Sequence, residues 1–335
     1  MKVSRKKKQH IFHELEPELV LGLVEKELGQ ACTNLFRPLT SYINKVYELE
    51  RRRGGGLIVK FYRPGRWSDK ALLDEHTFLL ELAAHEIPVV APLKLKSGST
   101  LGTEHGLRYA VFPKRGGRSH DEYTDEQWLE IGRLLGRVHN VGALKVARHR
   151  MTMGPDHSTT VQLRYLLDGD AVPEQLKGDL REVCEAIIGE IRPMFIGSER
   201  IRIHGDCHFA NLLNRPGESL LLIDFDDMVM GPPVQDLWML LPGEPENSFV
   251  EIDLFLEGYE TFRPFDRRSL RLIEALRAMR YIHYMAWCAL QAKDDGNTRV
   301  IDDFGTPEYW QKEIGDLKDQ LERIRHASSI FGNMI

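Results

Sequence analysis

The stretch "IRIHGDCHFANLL", residues 201–213, decides how the rest of the chain reads. It packs His204, Asp206, Cys207 and His208 into five positions, which suggests a zinc cluster or a cysteine nucleophile. It also sets Asp206 five residues ahead of Asn211, which suggests oxygen chemistry instead. A structural zinc site needs three or four thiolate or imidazole ligands. No second cluster with ligand spacing accompanies these residues. A nucleophilic Cys207 needs a lowered pKa and a dedicated base. The carboxylate and carboxamide are therefore the residues to follow outward.

The chain is 335 residues long, 42% hydrophobic and 28% charged, which fits one large globular domain or two ordinary ones. A net charge of −5 argues against a nucleic-acid partner, because a phosphate backbone calls for a basic face. The one basic run, "SRKKKQH" at 4–10, reads as a solvated tail. No apolar stretch approaches the roughly 18 to 20 residues that span a bilayer. The N-terminus lacks a secretory apolar core. The four cysteines, Cys32, Cys184, Cys207 and Cys288, are widely separated and read as reduced thiols, which places the protein in the cytoplasm.

The pattern along the chain changes once. Residues 14–29 have helical apolar spacing and end at a glycine. Strand signals follow at 41–50, 54–64 and 106–114. Between them, 68–87 reads as a helix capped by Ser68. The paired glycines of "PKRGGRSH" (113–120) mark a connector. Helices then dominate: 124–142 with a Thr cap and a Gln at the capping-box position, 158–195, and 268–293. Two short strands, at 200–207 and 219–227, interrupt them. The expectation is an α+β, two-lobed architecture. Residues 1–113 form a β-rich lobe with an N-terminal helix, a nucleotide-binding sheet and an inserted helix. Residues 114–335 form a connector and a mostly helical lobe that carries the catalytic loop, with a ligand cleft between the two.

Phosphoryl transfer needs a carboxylate to take or orient the hydroxyl proton, hard oxygen ligands for magnesium, and a cation for phosphate charge. Protein kinases meet this with H-R-D-x-x-x-x-N, a strand and a second aspartate. Here "HGDCHFAN" keeps the D-x-x-x-x-N spacing, with Gly205 where that pattern has arginine. Asp224 follows an apolar run in "LLIDFDD". Asp206 reads as the base, and Asn211 and Asp224 as magnesium ligands. Upstream, "LIVKF" puts Lys60 mid-strand, and "LLDEHTF" puts Glu75 on the inserted helix as its ion-pair partner. Five roles thus occur in the order a protein-kinase-like fold requires, with ATP and Mg²⁺ as the implied cofactors.

"HGDCHFANLL" with "LIDFDD", "GPPVQDLWMLL" (231–241) and "LRAMRYIHYMAW" (276–287) resembles the aminoglycoside phosphotransferase-like branch of this fold. Within it, the chain resembles the stress response kinase A (YihE/RdoA) family of bacterial serine/threonine protein kinases. "LTSYINKVYEL" (39–49), "VKFYRPGRWS" (59–68), "EHTF" (75–78) and "VFPKRGGR" (111–118) resemble it too, so the likeness runs from about residue 30 to residue 312. The resemblance implies ATP- and magnesium-dependent phosphorylation of protein serine or threonine in the cytoplasm during stress, by a protein expected to be a monomer. It carries Asp206 over as proton acceptor, Asn211 and Asp224 as magnesium ligands, and Ser41 as an ATP-proximal residue. Asp236 in "VQDLW" is expected to anchor the catalytic loop, and His204 to brace it.

Two stretches invite other readings. "RRRGGG" (51–56) lacks the lysine and following helix of a phosphate loop and reads as a hairpin turn. "DDFG" (302–305) lies some 90 residues past the catalytic loop and reads as coincidence. A small-molecule kinase acting on an amino alcohol, sugar or aminoglycoside is the competing function, because the same catalytic parts serve both. For a cationic substrate, "EIDLFLEGYE" (251–260) would supply the acids. A pseudokinase is disfavoured by the intact set Lys60, Glu75, Asp206, Asn211 and Asp224.

Overall fold

Strict alternation in "GLIVKF" buries Leu57, Val59 and Phe61 on one side of a strand and turns Ile58 and Lys60 to the other. That strand is the centre of the first of two units. The computed structural model describes residue 12 and residues 15–120, 122–215, 217–295 and 302–330, without the side chains of 294–295 and 327–330. The basic run at 4–10 and residues 296–301 of "KDDGNTRVIDDFG" lie outside the described residues. The first unit runs to Gly117 and includes Leu221–Ile223; the second comprises Arg118–Leu220 and the chain from Asp224 onward.

The first unit opens with α1 (Pro17–Leu28), which has proline in its first turn and ends at Gly29 in the left-handed region. Five antiparallel strands follow: β1 (Cys32–Leu39), β2 (Lys45–Arg51), β3 (Gly56–Phe61), β4 (Gly102–Glu104) and β5 (Leu107–Pro113). Their spatial order is β1-β2-β3-β5-β4. The face with Leu57, Val59, Phe61, Tyr109 and Val111 packs against Val20, Leu23 and Val24 of α1. The other face packs Ala110 against Leu72 of α2 (Asp69–Ala84). Ser68 caps α2, accepting the Ala71 N–H at 3.2 Å. Leu222 joins this unit by donating its N–H to the Pro88 carbonyl.

The second unit is helical around short strands. Its helices are α3 (Asp125–Ala143), α4 (Thr160–Asp168), α5 (Lys177–Ile191), α6 (Val234–Trp238), α7 (Phe249–Glu260), α8 (Ile273–Asp295) and α9 (Pro307–Ile330). Thr124 and Gln127 form the capping box of α3. A Cβ on Gly132 would meet the Phe255 carbonyl at 2.1 Å, and one on Gly258 the Leu129 carbonyl at the same distance, so α3 and α7 approach closely. β6 (Ile201–Ile203) pairs antiparallel with β9 (Val229–Gly231). β7 (Leu212–Leu213) is shorter still, and β8 (Leu221–Leu222) belongs to the first unit.

The expected α+β class and kinase-like architecture hold, with a five-stranded antiparallel sheet first and helices after. Several local expectations change. β1 and β4 have no strong sequence signal. The strand expected over 219–227 shrinks to Leu221–Leu222, because Asp224 turns left-handed and Phe225–Asp227 coil into a short 3₁₀ turn.

Glu48 of β2 ties the sheet together. It is buried, yet it accepts from Arg37 of β1 and Lys114 just beyond β5. Bonding to Lys114 holds its carboxyl below the usual range, against the upward push of burial, with Arg37 adding to the effect. A depressed folded-state pKa gives stability that is present above the unfolded value of 4.5 and lost as pH falls through the folded one. Glu48→Gln is expected to cost about 1–2 kcal/mol at neutral pH. In denaturant titrations the gap to the parent protein should close as pH drops below 4.5.

Candidate active site

The loop His204–Asn211 leaves β6 through a bend that only glycine makes easily. Gly205 has φ +84°, and a Cβ there would meet the Asp227 carbonyl at 2.4 Å. This explains why arginine is absent from that position. The bend is held from beneath by Asp236 of α6. One carboxylate oxygen accepts the His204 N–H at 2.8 Å, and the other accepts the Gly205 N–H at 2.8 Å. Asp236 is fully buried and also accepts from His139 Nε2 at 3.1 Å. In the neutral imidazole, His139 Nδ1 then takes the hydroxyl hydrogen of Tyr259, 3.0 Å away. Gln235 donates to the Gly205 carbonyl at 3.0 Å. His204 braces the loop as expected: its Nδ1 accepts the Asp206 N–H at 3.3 Å, and its ring packs edge-on against Phe225.

Asp206 and Asn211 come together on this frame. Asn211 Nδ2 donates to the Asp206 carbonyl at 2.9 Å, which leaves Oδ1 with no protein donor among the described residues. The Asp206 carboxylate has Arg280 Nη2 of α8 2.8 Å from Oδ1 and His208 Nε2 3.5 Å from Oδ2. Arg280 is close without hydrogen-bond alignment, so Oδ1 is buried and accepts no hydrogen bond. Burial alone would raise the Asp206 pKa. Bonding to His208 and the charge of Arg280 outweigh it and hold the carboxyl far below its usual range. Asp206 therefore stays a carboxylate, able to accept a hydroxyl hydrogen.

Asp224 stands one residue before Phe225, whose ring touches His204. It is exposed and lies at φ +60°, an unusual conformation for an aspartate, which aims it off the strand path. Arg150 fixes the following turn by donating to the Asp226 carbonyl at 2.6 Å. The free carboxamide oxygen of Asn211 and the exposed Asp224 carboxylate are hard oxygen donors of the kind magnesium takes, so these residues fit that ion.

Lys60, Glu75 and Ser41 all belong to the first unit. Lys60 points to the sheet face on which α2 packs, with Nζ 5.5 Å from the centre of the Tyr62 ring. Glu75 is buried on α2, one turn beyond Leu72. Ser41 lies in the β1–β2 loop, where its hydroxyl accepts the Asn44 N–H at 3.3 Å. Arg280, His139, Tyr259 and Arg150 were not singled out from the sequence. Arg280 sits inside "LRAMRYIHYMAW", and its arrival beside Asp206 is a tertiary event with no local signal.

The rival chemistries do not assemble. Cys207 is fully buried, and burial followed by the charges of Asp236 and Asp206 pushes its thiol well up, the opposite of an activated nucleophile. Among the described residues the only convergence of three such side chains is Glu244, Glu246 and Glu274, and Arg323 bonds all three. The glycines of "RRRGGG" turn β2 into β3, with the Arg51 guanidinium bonded to the Gly54 carbonyl. In "DDFG", Phe304 packs on Tyr309 and Trp310 at the start of α9.

Residues 36–273 match the model of the phosphotransferase enzyme family. Stress response kinase A of Escherichia coli strain K12 is 34% identical over 315 residues, covering 94% of this chain and 95% of that protein. Serine/threonine protein kinase RdoA of Salmonella typhimurium is 33% identical over 312 residues, covering 93% of this chain and 94% of its own. The chain belongs to the stress response kinase A branch of the phosphotransferase enzyme family. A solved structure of amicoumacin kinase in complex with AMP-PNP and Ca²⁺ shares the fold of this branch, with a TM-score of 0.69 at 19% identity, covering 92% of this chain and 93% of that one. This stress response kinase relative is thus a phosphotransferase with a protein-kinase-like fold.

Gly205→Ala should strain the kinase loop by at least about 2 kcal/mol, through the left-handed backbone and the carbonyl clash. Asp236→Ala should cost more, about 3–5 kcal/mol, because it leaves two buried N–H groups and His139 unpaired. Thermal denaturation of both variants checks the order. Cys207, in contrast, should resist thiol reagents until the protein unfolds, as titration with and without denaturant would reveal.

Proposed function

We propose that the chain is an ATP- and Mg²⁺-dependent serine/threonine protein kinase of a bacterial stress response, acting in the cytoplasm as a monomer on protein substrates. The observation that carries this reading is Asp206, a partly buried carboxylate kept ionised on a loop whose shape Asp236 fixes. The names of the two relatives support the protein-kinase activity and the stress context. That the four cysteines are free and buried agrees with a reducing compartment. No described helix is long and apolar enough to cross a membrane.

Asp206 orients the acceptor hydroxyl and takes its proton. The acceptor oxygen forms a bond to the γ-phosphorus, the bond from that phosphorus to the bridging oxygen breaks, and ADP leaves with the electron pair. Asn211 and Asp224 hold magnesium, which supplies neutralisation of phosphate charge. Lys60, supported by Glu75, and Ser41 with its neighbouring backbone N–H groups hold the nucleotide phosphates.

A small-molecule kinase is the second reading. The shared fold with amicoumacin kinase makes it worth testing, although fold alone does not choose a substrate. A cationic amino alcohol or aminoglycoside calls for carboxylates near the acceptor. The groups set against Asp206 are instead the Arg280 guanidinium and the bonded His208 ring. Of the acids of α7, Glu260 is committed to Arg267 at 3.0 Å.

The test offers labelled ATP and magnesium to the full chain with a generic protein substrate and a panel of hydroxylated small molecules. Label is expected on protein serine or threonine; label confined to small molecules would reverse the ranking. Asp206→Ala should lower transfer by about 10²–10⁴-fold while sparing ATP binding. Asp224→Ala should remove the response to magnesium as well. Turnover at the parent rate in either variant sinks the assignment.

A further inference from the structure

Arg280 engages Asp206 through one nitrogen only. Guanidinium carries five N–H donors in a planar fork, and one carboxylate oxygen lies 2.8 Å from Nη2 without hydrogen-bond alignment. Its other nitrogens have no hydrogen-bond or ion-pair partner among the described residues, and a third of the side chain is exposed (33%). The same helix continues this half-buried face. Tyr284 and Trp287 follow Arg280 at i+4 and i+7, with their rings stacked 5.5 Å apart at 19°. A cation with spare donors beside the proton acceptor, followed by an aromatic step, forms a stripe along α8.

We propose that the α8 stripe Arg280–Tyr284–Trp287 receives the acceptor segment, and that the unused donors of Arg280 select an anionic group close to the accepting hydroxyl. The occupant is an acidic peptide in which serine or threonine is flanked by a carboxylate. This inference rests on the protein-kinase reading of Asp206 and names its substrate class. The charge argument is direct. A basic residue at that place would face Arg280 and His208, whereas a carboxylate finds preorganised donors that already lean on the catalytic residue. The spacing adds a second preference. The helix rise places Tyr284 about 6 Å and Trp287 about 10 Å beyond Arg280. An extended peptide advances about 3.3 Å per residue, so an apolar side chain two or three positions past the acid would reach the stacked rings.

The experiment uses the full chain with magnesium and ATP, and two peptides that each carry one serine. One has glutamate at the two positions around the serine, the other lysine. Both turnover and peptide binding by calorimetry are measured. The acidic peptide is expected to have at least a tenfold higher kcat/KM and to bind at least tenfold more tightly. Arg280→Gln should collapse both ratios toward one, Arg280→Lys should restore most of the preference, and Arg280→Glu should invert it. Equal use and equal binding of the two peptides by the parent protein would overturn the inference. So would an Arg280→Gln enzyme that loses the same factor with both peptides, since that would put Arg280 on the transferring phosphoryl group instead. Binding separates the two levels of the argument. If neither peptide is phosphorylated, the protein-kinase reading fails. The Arg280 inference then stands or falls on whether the acidic peptide still binds through Arg280.

Discussion

One buried carboxylate determines the shape of the reactive loop. Asp236 accepts two consecutive backbone N–H groups, those of His204 and Gly205, and a third bond from His139. A lone charge at zero exposure would be costly, and this one is tolerated because every partner is fixed and buried with it. Tyr259 closes the far end of the network, so helices α3, α6 and α7 each contribute one member. The close glycine packing of α3 on α7 keeps His139 and Tyr259 within bonding reach. A change in any of these helices would thus be felt as a displacement of Gly205, one residue from Asp206.

The electrostatics of the loop follow from that frame. Burial works against an ionised Asp206, and the structure offsets it with basic side chains set against it rather than with exposure. His208 comes from the loop itself and Arg280 from α8. Asn211 uses its amide nitrogen to hold the loop, which leaves its oxygen without a protein donor among the described residues. On the proposed function the same residue closes the loop and offers a hard oxygen to magnesium. The low-populated backbone of Asp224 fits this picture, since strain of that kind persists where the surroundings impose it.

What the sequence disclosed follows from the range of each interaction. The five-residue spacing of Asp206 and Asn211 was legible because a short loop with one glycine has few closures. Lys60 was legible because period two fixes its face. Ser68 and Thr124 announced their helices through side-chain caps. β1 was not legible: "CTNLFRPL" mixes polar residues and a proline on an edge strand, where the burial pattern is irregular. Arg280 was invisible for a different reason. It lies 74 residues beyond Asp206 in the chain. Nothing within its helix distinguishes it from Arg277, which serves an unrelated network with Glu244 and Glu274.

That contrast locates substrate choice. On the proposed function the loop supplies the chemistry any hydroxyl acceptor needs, and a fold shared with amicoumacin kinase at 19% identity says nothing of which acceptor enters. Discrimination must come from groups that reach the loop from outside it. In the second unit the group nearest Asp206 is a guanidinium with donors to spare, on a helix whose next two turns carry stacked aromatic rings. A cation in that position repels ammonium acceptors as well as attracting carboxylates, and specificity built on both effects exceeds what attraction alone provides. The histidines and cysteine that dominate "HGDCH" on first reading brace and fill the loop, while its selectivity is written on α8.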